Sequence, residues 1–97
     1  MLVEAQGDTL VLEGAVDVHT VQTWRKQAEQ ALAQMGDKVL VDVSRLSASG
    51  MVVLSLLLCV MRAGQARQQQ ILFSPLPAPL AAMAELADLD EVLPVHV

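Results

Sequence analysis

The side chains able to do chemistry are few and widely separated. His19 and His96 stand near opposite ends of the chain, and neither has a cysteine, histidine or carboxylate at a spacing typical of zinc sites. Cys59 is the single cysteine, so it has no internal disulfide partner. It lies in an apolar run with no adjacent charge to stabilise a thiolate, and reads as a small buried structural residue. Asp42 follows the core of a β-like run, but no second carboxylate lies nearby for acid/base work, and a loop-organising acceptor is the expected role. A phosphate-cradling GxxxxGK[ST] and a GxGxxG are both absent from the sequence. The acidic cluster Glu85, Asp88, Asp90 and Glu91 has no EF-hand pattern and reads as a solvated helix face. A small hydrolase built on Asp42 or Cys59 would need convergent partners that the spacing does not provide. The expectation is a domain with no catalytic residues, no cofactor and no metal.

One junction is more informative. The run Val39 to Val43 is followed by Ser44-Arg45-Leu46-Ser47-Ala48-Ser49-Gly50 and then by the apolar stretch that starts at Met51. A loop over residues 44–49 would deliver polar groups to the N-terminus of a helix. Ser49 or Ser47 could cap the free amides there, at an end whose partial positive charge favours a carboxylate or phosphate.

The elements that would position this junction follow from periodicity. Leu2 to Glu13 contains two short apolar runs around Gln6-Gly7-Asp8, the signature of an antiparallel hairpin, with Gly14 expected to end the second strand. Val21, Trp24, Ala28, Ala31, Leu32 and Met35 recur at intervals of three and four, predicting an amphipathic helix capped by Asp17 or Thr20 and stopped at Gly36-Asp37. Val39 to Val43 predicts a central strand. Met51 to Arg62 predicts a helix apolar almost all round, enclosed by the sheet on one side and by something else, such as a partner, on the other. Ile71 to Phe73 predicts another strand, and Pro79 opens a last helix through Leu80, Met83, Ala84 and Ala87, with Leu86 on or near its packed side. Val92-Leu93-Pro94-Val95 reads as a short edge segment. Strands separated by helices point to parallel pairing through right-handed crossovers.

Composition agrees. A chain of 97 residues supports one compact domain, and its 54% hydrophobic content with only 2% aromatics makes the core aliphatic. A net charge of -5 repels phosphate backbones, which argues against nucleic acid. The N-terminal MLVEAQGDTL has no basic or long apolar opening, so no secretion signal is expected. Met51 to Met61 is about half of the roughly 20 residues a membrane-spanning helix needs, so direct membrane insertion is not expected.

The opening GDTLVLEGAVD, the strand-and-helix run VLVDVSRLSASG with MVVLSLLLCV, and the closing DEVLPV resemble the STAS family. The resemblance implies a single α/β domain over residues 1–97: a small mixed sheet that starts with an antiparallel hairpin and carries helices on one face. It also implies a regulatory site at the start of the helix after the DVS strand. Aligned without gaps from Asp42, Gly50 falls where such domains carry Asp, and Met51 falls at their phosphoacceptor. Within the family the short stand-alone chain looks most like the STAS subunits of Mla phospholipid-transporting ABC systems. The partner then implied is an MlaF-like cytoplasmic ATPase subunit, in a membrane complex with permease and substrate-binding subunits. Ser47, Ser49, Gly50, Met51, Val52 and Ser55 are the expected partner-binding residues, forming an apolar patch with a polar edge. The alternative implied is an anti-sigma-factor antagonist phosphorylated at Ser47 or Ser49. Either reading places the domain in the cytoplasm, the first at the inner membrane through its partner.

Overall fold

A computed structural model of the chain describes residues 1–48 and 52–86. Its elements run β1 (Leu2–Gln6), β2 (Thr9–Val16), α1 (Val21–Leu32), β3 (Lys38–Ala48), α2 (Val52–Ala66), β4 (Gln70–Phe73) and α3 (Ala78–Leu86). The strands form one mixed sheet in the order β1-β2-β3-β4; the first pairing is antiparallel and the other two are parallel. Each parallel step is bridged by a helix, as a crossover between parallel neighbours requires. The helices pack on one face of this α/β sheet.

Gln6 pairs with Thr9, so Gly7 and Asp8 form the hairpin turn, and Gly7 takes a φ of 60° that costs a residue without Cβ little. β2 does not stop at Gly14. It runs on to Val16, because Gly14 at φ 129° leaves room for the Trp24 ring: a Cβ there would lie 3.3 Å from Trp24 Cζ2 and 3.1 Å from Met1 Cα. Trp24 is fully buried, and its indole Nε1 donates to the Ala15 carbonyl at 3.3 Å. A large ring thereby sits, with Phe73, inside a largely aliphatic core with its one polar atom satisfied.

α1 buries Trp24, Ala28 and Leu32, with Val21, Ala31 and Met35 packed at the margin, as their spacing predicts. Thr20 is the N-cap residue but makes no side-chain capping bond. The Asp17 carboxylate organises the turn instead: its Oδ1 accepts from the His19 amide at 2.8 Å, the Thr20 amide at 3.0 Å and the Thr20 hydroxyl at 3.2 Å. The helix ends at Leu32, before Gly36-Asp37.

β3 is twice as long as its apolar run suggests. Residues 44–48, expected as loop, are strand, because β2 offers ladder partners as far as Val16 opposite Ala48. Between the pairs Val11↔Asp42 and Glu13↔Arg45, β3 advances one residue more than β2, which is a β-bulge. Val39, Val41 and Val43 point into the core before it and Leu46 after it, leaving Arg45 and Ser47 exposed.

α2 buries Val53, Leu54, Leu56, Leu57, Val60 and Gly64. Both α1 and α3 pack against it, so the chain itself supplies covering that the sequence assigned to a partner. Its C-terminus closes with Gln69 N–H on the Gly64 carbonyl at 2.9 Å and Gln68 N–H on the Gln65 carbonyl at 3.0 Å, the bonds of a Schellman motif. Gln68 holds the left-handed position at φ 61°. α3 buries Leu80 and Ala84, while Leu86, expected near the packed side, is 83% exposed. The last predicted edge segment, Val92 to Val95, lies outside the described residues, as do Ala87, Asp88, Asp90 and Glu91.

Candidate functional site

Because β2, β3 and β4 run parallel, their C-terminal ends share one edge of the sheet, where loops and helix starts collect. That edge carries the Asp17–Thr20 turn after β2, the end of β3, the start of α2 and Ser74 after β4. Ser47 sits on β3, not in a loop, and its exposed hydroxyl donates across the ladder to the Gly14 carbonyl at 3.3 Å. Val52, the first residue of α2, is half-buried and packs on the core, whereas Ser55 one turn later is exposed. Ser49, Gly50 and Met51 lie outside the described residues, and with them the expected phosphoacceptor register. Val18, in the turn after β2, is 70% exposed beside this edge.

A polar cluster holds β3 just before the site. Asp42 Oδ1 accepts from the Ser44 amide at 2.9 Å, the Ser44 hydroxyl at 2.7 Å and the Ser74 hydroxyl at 3.5 Å. Ser74 Oγ in turn accepts from the Val43 amide at 2.9 Å, and the Ser74 amide donates to the Val41 carbonyl at 2.9 Å. The Ser44 hydroxyl and then the Ser44 amide hold the Asp42 carboxyl below the usual carboxylate range, with Ser74 and Arg45 adding to them against desolvation. Asp42 is thus a hydrogen-bond acceptor, the role its sequence setting indicated. Arg45 faces Glu13 across the β2–β3 ladder, with its Nη1 3.9 Å from Glu13 Oε2, a loose and exposed pair. Asp17 is likewise lowered, mainly by the His19 amide and also by the amide and hydroxyl of Thr20.

Ser74 was invisible in the sequence, since its neighbours Pro75 and Pro77 mark only a stiff connection. Its role depends on a contact 32 residues distant in the chain. Cys59 is half-buried on α2, less enclosed than its apolar run suggests. Among the described residues no group of three or more His, Cys, Asp or Glu side chains could hold a metal ion. No helix among them is long and apolar enough to cross a membrane.

Solved structures share the fold, among them three anti-sigma factor antagonists. The anti-sigma factor antagonist SpoIIAA in its unphosphorylated form matches at a TM-score of 0.72 and 20% identity, over 99% of this chain and 87% of that one. An anti-sigma factor antagonist from Mycobacterium paratuberculosis matches at 0.70 and 18%, over 98% and 82%. A putative antagonist of the same kind from Thermotoga maritima matches at 0.73 and 12%, over 99% and 85%. No curated protein matches the chain.

These likenesses correct the expected assignment to MlaB, the STAS subunit of the Mla transporter, and with it the MlaF-like ATPase, permease and substrate-binding partners. Several of the residues behind that assignment have roles in the fold itself. Gly7-Asp8 makes the hairpin turn and Leu10 and Leu12 fill the core, needs that any domain of this architecture shares. The closing DEVLPV lies outside the described residues. Residues 1–94 match a family model described as Mlab, STAS domain, and the chain therefore belongs to the STAS domain family.

Proposed function

We propose that residues 1–97 form one regulatory STAS domain of the anti-sigma-factor-antagonist type, which acts in the cytoplasm by binding an anti-sigma factor. The observation that carries this reading is the fold likeness to three such antagonists over 98–99% of the chain. Ser47, Ser49, Gly50, Met51, Val52 and Ser55 compose the partner surface; of these, Ser47 and the α2 residues Val52 and Ser55 lie at or beside the shared C-terminal edge of the parallel strands. A flexible thioether at Met51 suits an irregular protein groove. Phosphorylation at Ser47 or Ser49 by a partner kinase is the control. A phosphate adds a charge of about -1.5 to -2 where the partner must displace water from apolar groups, and so opposes docking.

The test is to purify the tagged full chain from its native cells, identify what accompanies it, and measure its intact mass after incubation with that partner and ATP. The expected result is an anti-sigma factor whose binding weakens about 10-fold or more on Met51→Asp, the loss of one buried side chain. A gain of one phosphate, abolished by Ser47→Ala or Ser49→Ala, is expected with it. A co-purifying partner with no link to sigma-factor control would overturn the reading.

A further inference from the structure

The bulge in β3 decides which side chains the partner surface shows. Side chains on a strand alternate between faces, so one additional residue exchanges every later position from inside to outside. Continued without the bulge, the alternation of Val39, Val41 and Val43 would turn Arg45 and Ser47 into the core and Leu46 outward. With it, Leu46 is 3% exposed inside the core, Arg45 reaches Glu13, and Ser47 reaches the Gly14 carbonyl from the exposed face. A bulge leaves ladder groups on the β2 side unpaired, and the Ser44 amide there goes to Asp42, while the Val43 amide, on the other side where β4 has ended at Phe73, goes to the Ser74 hydroxyl. The Ser74 hydroxyl links the two by accepting from Val43 and donating to Asp42.

We infer that Asp42 and Ser74 are positioning residues for the partner surface, pinning the β3 bulge so that Ser47 faces outward and Leu46 inward at the edge where the anti-sigma factor docks. The inference rests on the proposed function for the identity of the partner, but the bulge itself can be tested without one. The role inferred for Asp42 and Ser74 is positional and does not require contact with the partner. Each acts through the main chain of Val43 and Ser44, which sets the facing of the residues beyond. The lowered carboxyl of Asp42 agrees, since an ionised acceptor suits three donors.

The experiment uses the full chain carrying Cys59→Ala, with a single new thiol placed by Ser47→Cys or by Leu46→Cys. With Asp42 and Ser74 intact, a thiol reagent should modify position 47 about tenfold or more faster than position 46, as exposure dictates. Asp42→Ala and, separately, Ser74→Ala should close that gap while Trp24 fluorescence remains that of the folded protein. Asp42→Asn should keep it, because the amide oxygen still accepts from the Ser44 amide. In titrations with the anti-sigma factor, Asp42→Ala should weaken binding about tenfold and Asp42→Asn far less, with Arg62→Ala on α2 as the unaffected control. A gap unchanged in both alanine variants overturns the inference, and so does a closed gap with undiminished affinity. Failure of the unaltered chain to bind any anti-sigma factor would instead sink the proposed function, and the labelling would still judge the bulge.

Discussion

The side-chain amide of Gln69 donates to the main-chain carbonyl of Leu32 at 2.9 Å, and also to those of Gly36 at 2.9 Å and Met35 at 3.3 Å. The last carbonyls of α1 have no partner within their own helix, and a side chain that enters the chain after α2 supplies one. Gln69 is only 8% exposed, and its loss would remove a donor from the part-buried Met35 and Gly36 carbonyls and one of two from Leu32, which also accepts from the Met35 amide at 3.1 Å. Gln69→Ala should lower stability by about 1–3 kcal/mol. Urea unfolding followed by the fluorescence of Trp24, the only tryptophan, measures this, and an unchanged midpoint would refute it.

One residue earlier the opposite effect is expected. Gln68 occupies the left-handed position of the α2 Schellman motif at φ 61°, where a side chain is strained and glycine is not. Gln68→Gly should raise stability by about 1 kcal/mol, the strain relieved exceeding the added freedom of the unfolded chain. A lower thermal midpoint for Gln68→Gly would contradict this account.

Gly64 lies on the buried face of α2 directly against the Ile71 side chain of β4, with no room for a Cβ. Gly64→Ala should therefore destabilise by about 1–3 kcal/mol despite alanine's better helix propensity. Combining it with Ile71→Ala, which removes both of the nearest atoms, should cost less than the two changes summed, and a double-mutant cycle in which the two effects simply add would show that they do not touch.

Asp42 gives the fold a defined acid sensitivity. Its carboxyl titrates lower in the folded chain than in the unfolded one, so the unfolded state binds more protons as the pH falls. The stabilisation is complete above the ordinary carboxylate value near pH 4 and is lost as pH drops through that value toward the lower folded one. Asp17 shifts in the same direction. Asp42→Asn should flatten the stability profile between about pH 2 and pH 5 and leave its slope near neutrality unchanged. Urea midpoints across that range check it, and an undiminished acid slope in the variant would refute it.

The hairpin, the amphipathic face of α1, the apolar run of α2 and the alternation of strands with helices were legible because each is written in local spacing. Gly7-Asp8 fits a tight turn wherever it stands, and Trp24, Ala28 and Leu32 share a helix face by arithmetic alone. What escaped depends on distant residues. Ser44 to Ala48 reads as loop from its serines, yet pairing with β2 makes it strand. Gly14 reads as a strand end, but Trp24 above it explains its place within one. Gln69 and Ser74 are ordinary polar residues until α1 and β3 are set beside them. At the candidate site Asp42 and Ser47 could be located by type, but the bulge that orients Ser47 could not, because a bulge is a relation between two strands.

The spatial order of the strands repeats their order along the chain. Among the described residues no strand has to be threaded between two that are already paired, so each of these joins beside its predecessor. The two parallel pairings of the sheet still join distant residues, Thr9 to Leu40 and Lys38 to Gln70, so each has to wait for the crossover helix between them. On the ribosome the β1–β2 hairpin can form first, β3 can dock once α1 has emerged, and β4 can close the sheet last. The growing edge is left open until its next neighbour has been made, and during that interval another nascent chain could pair with it.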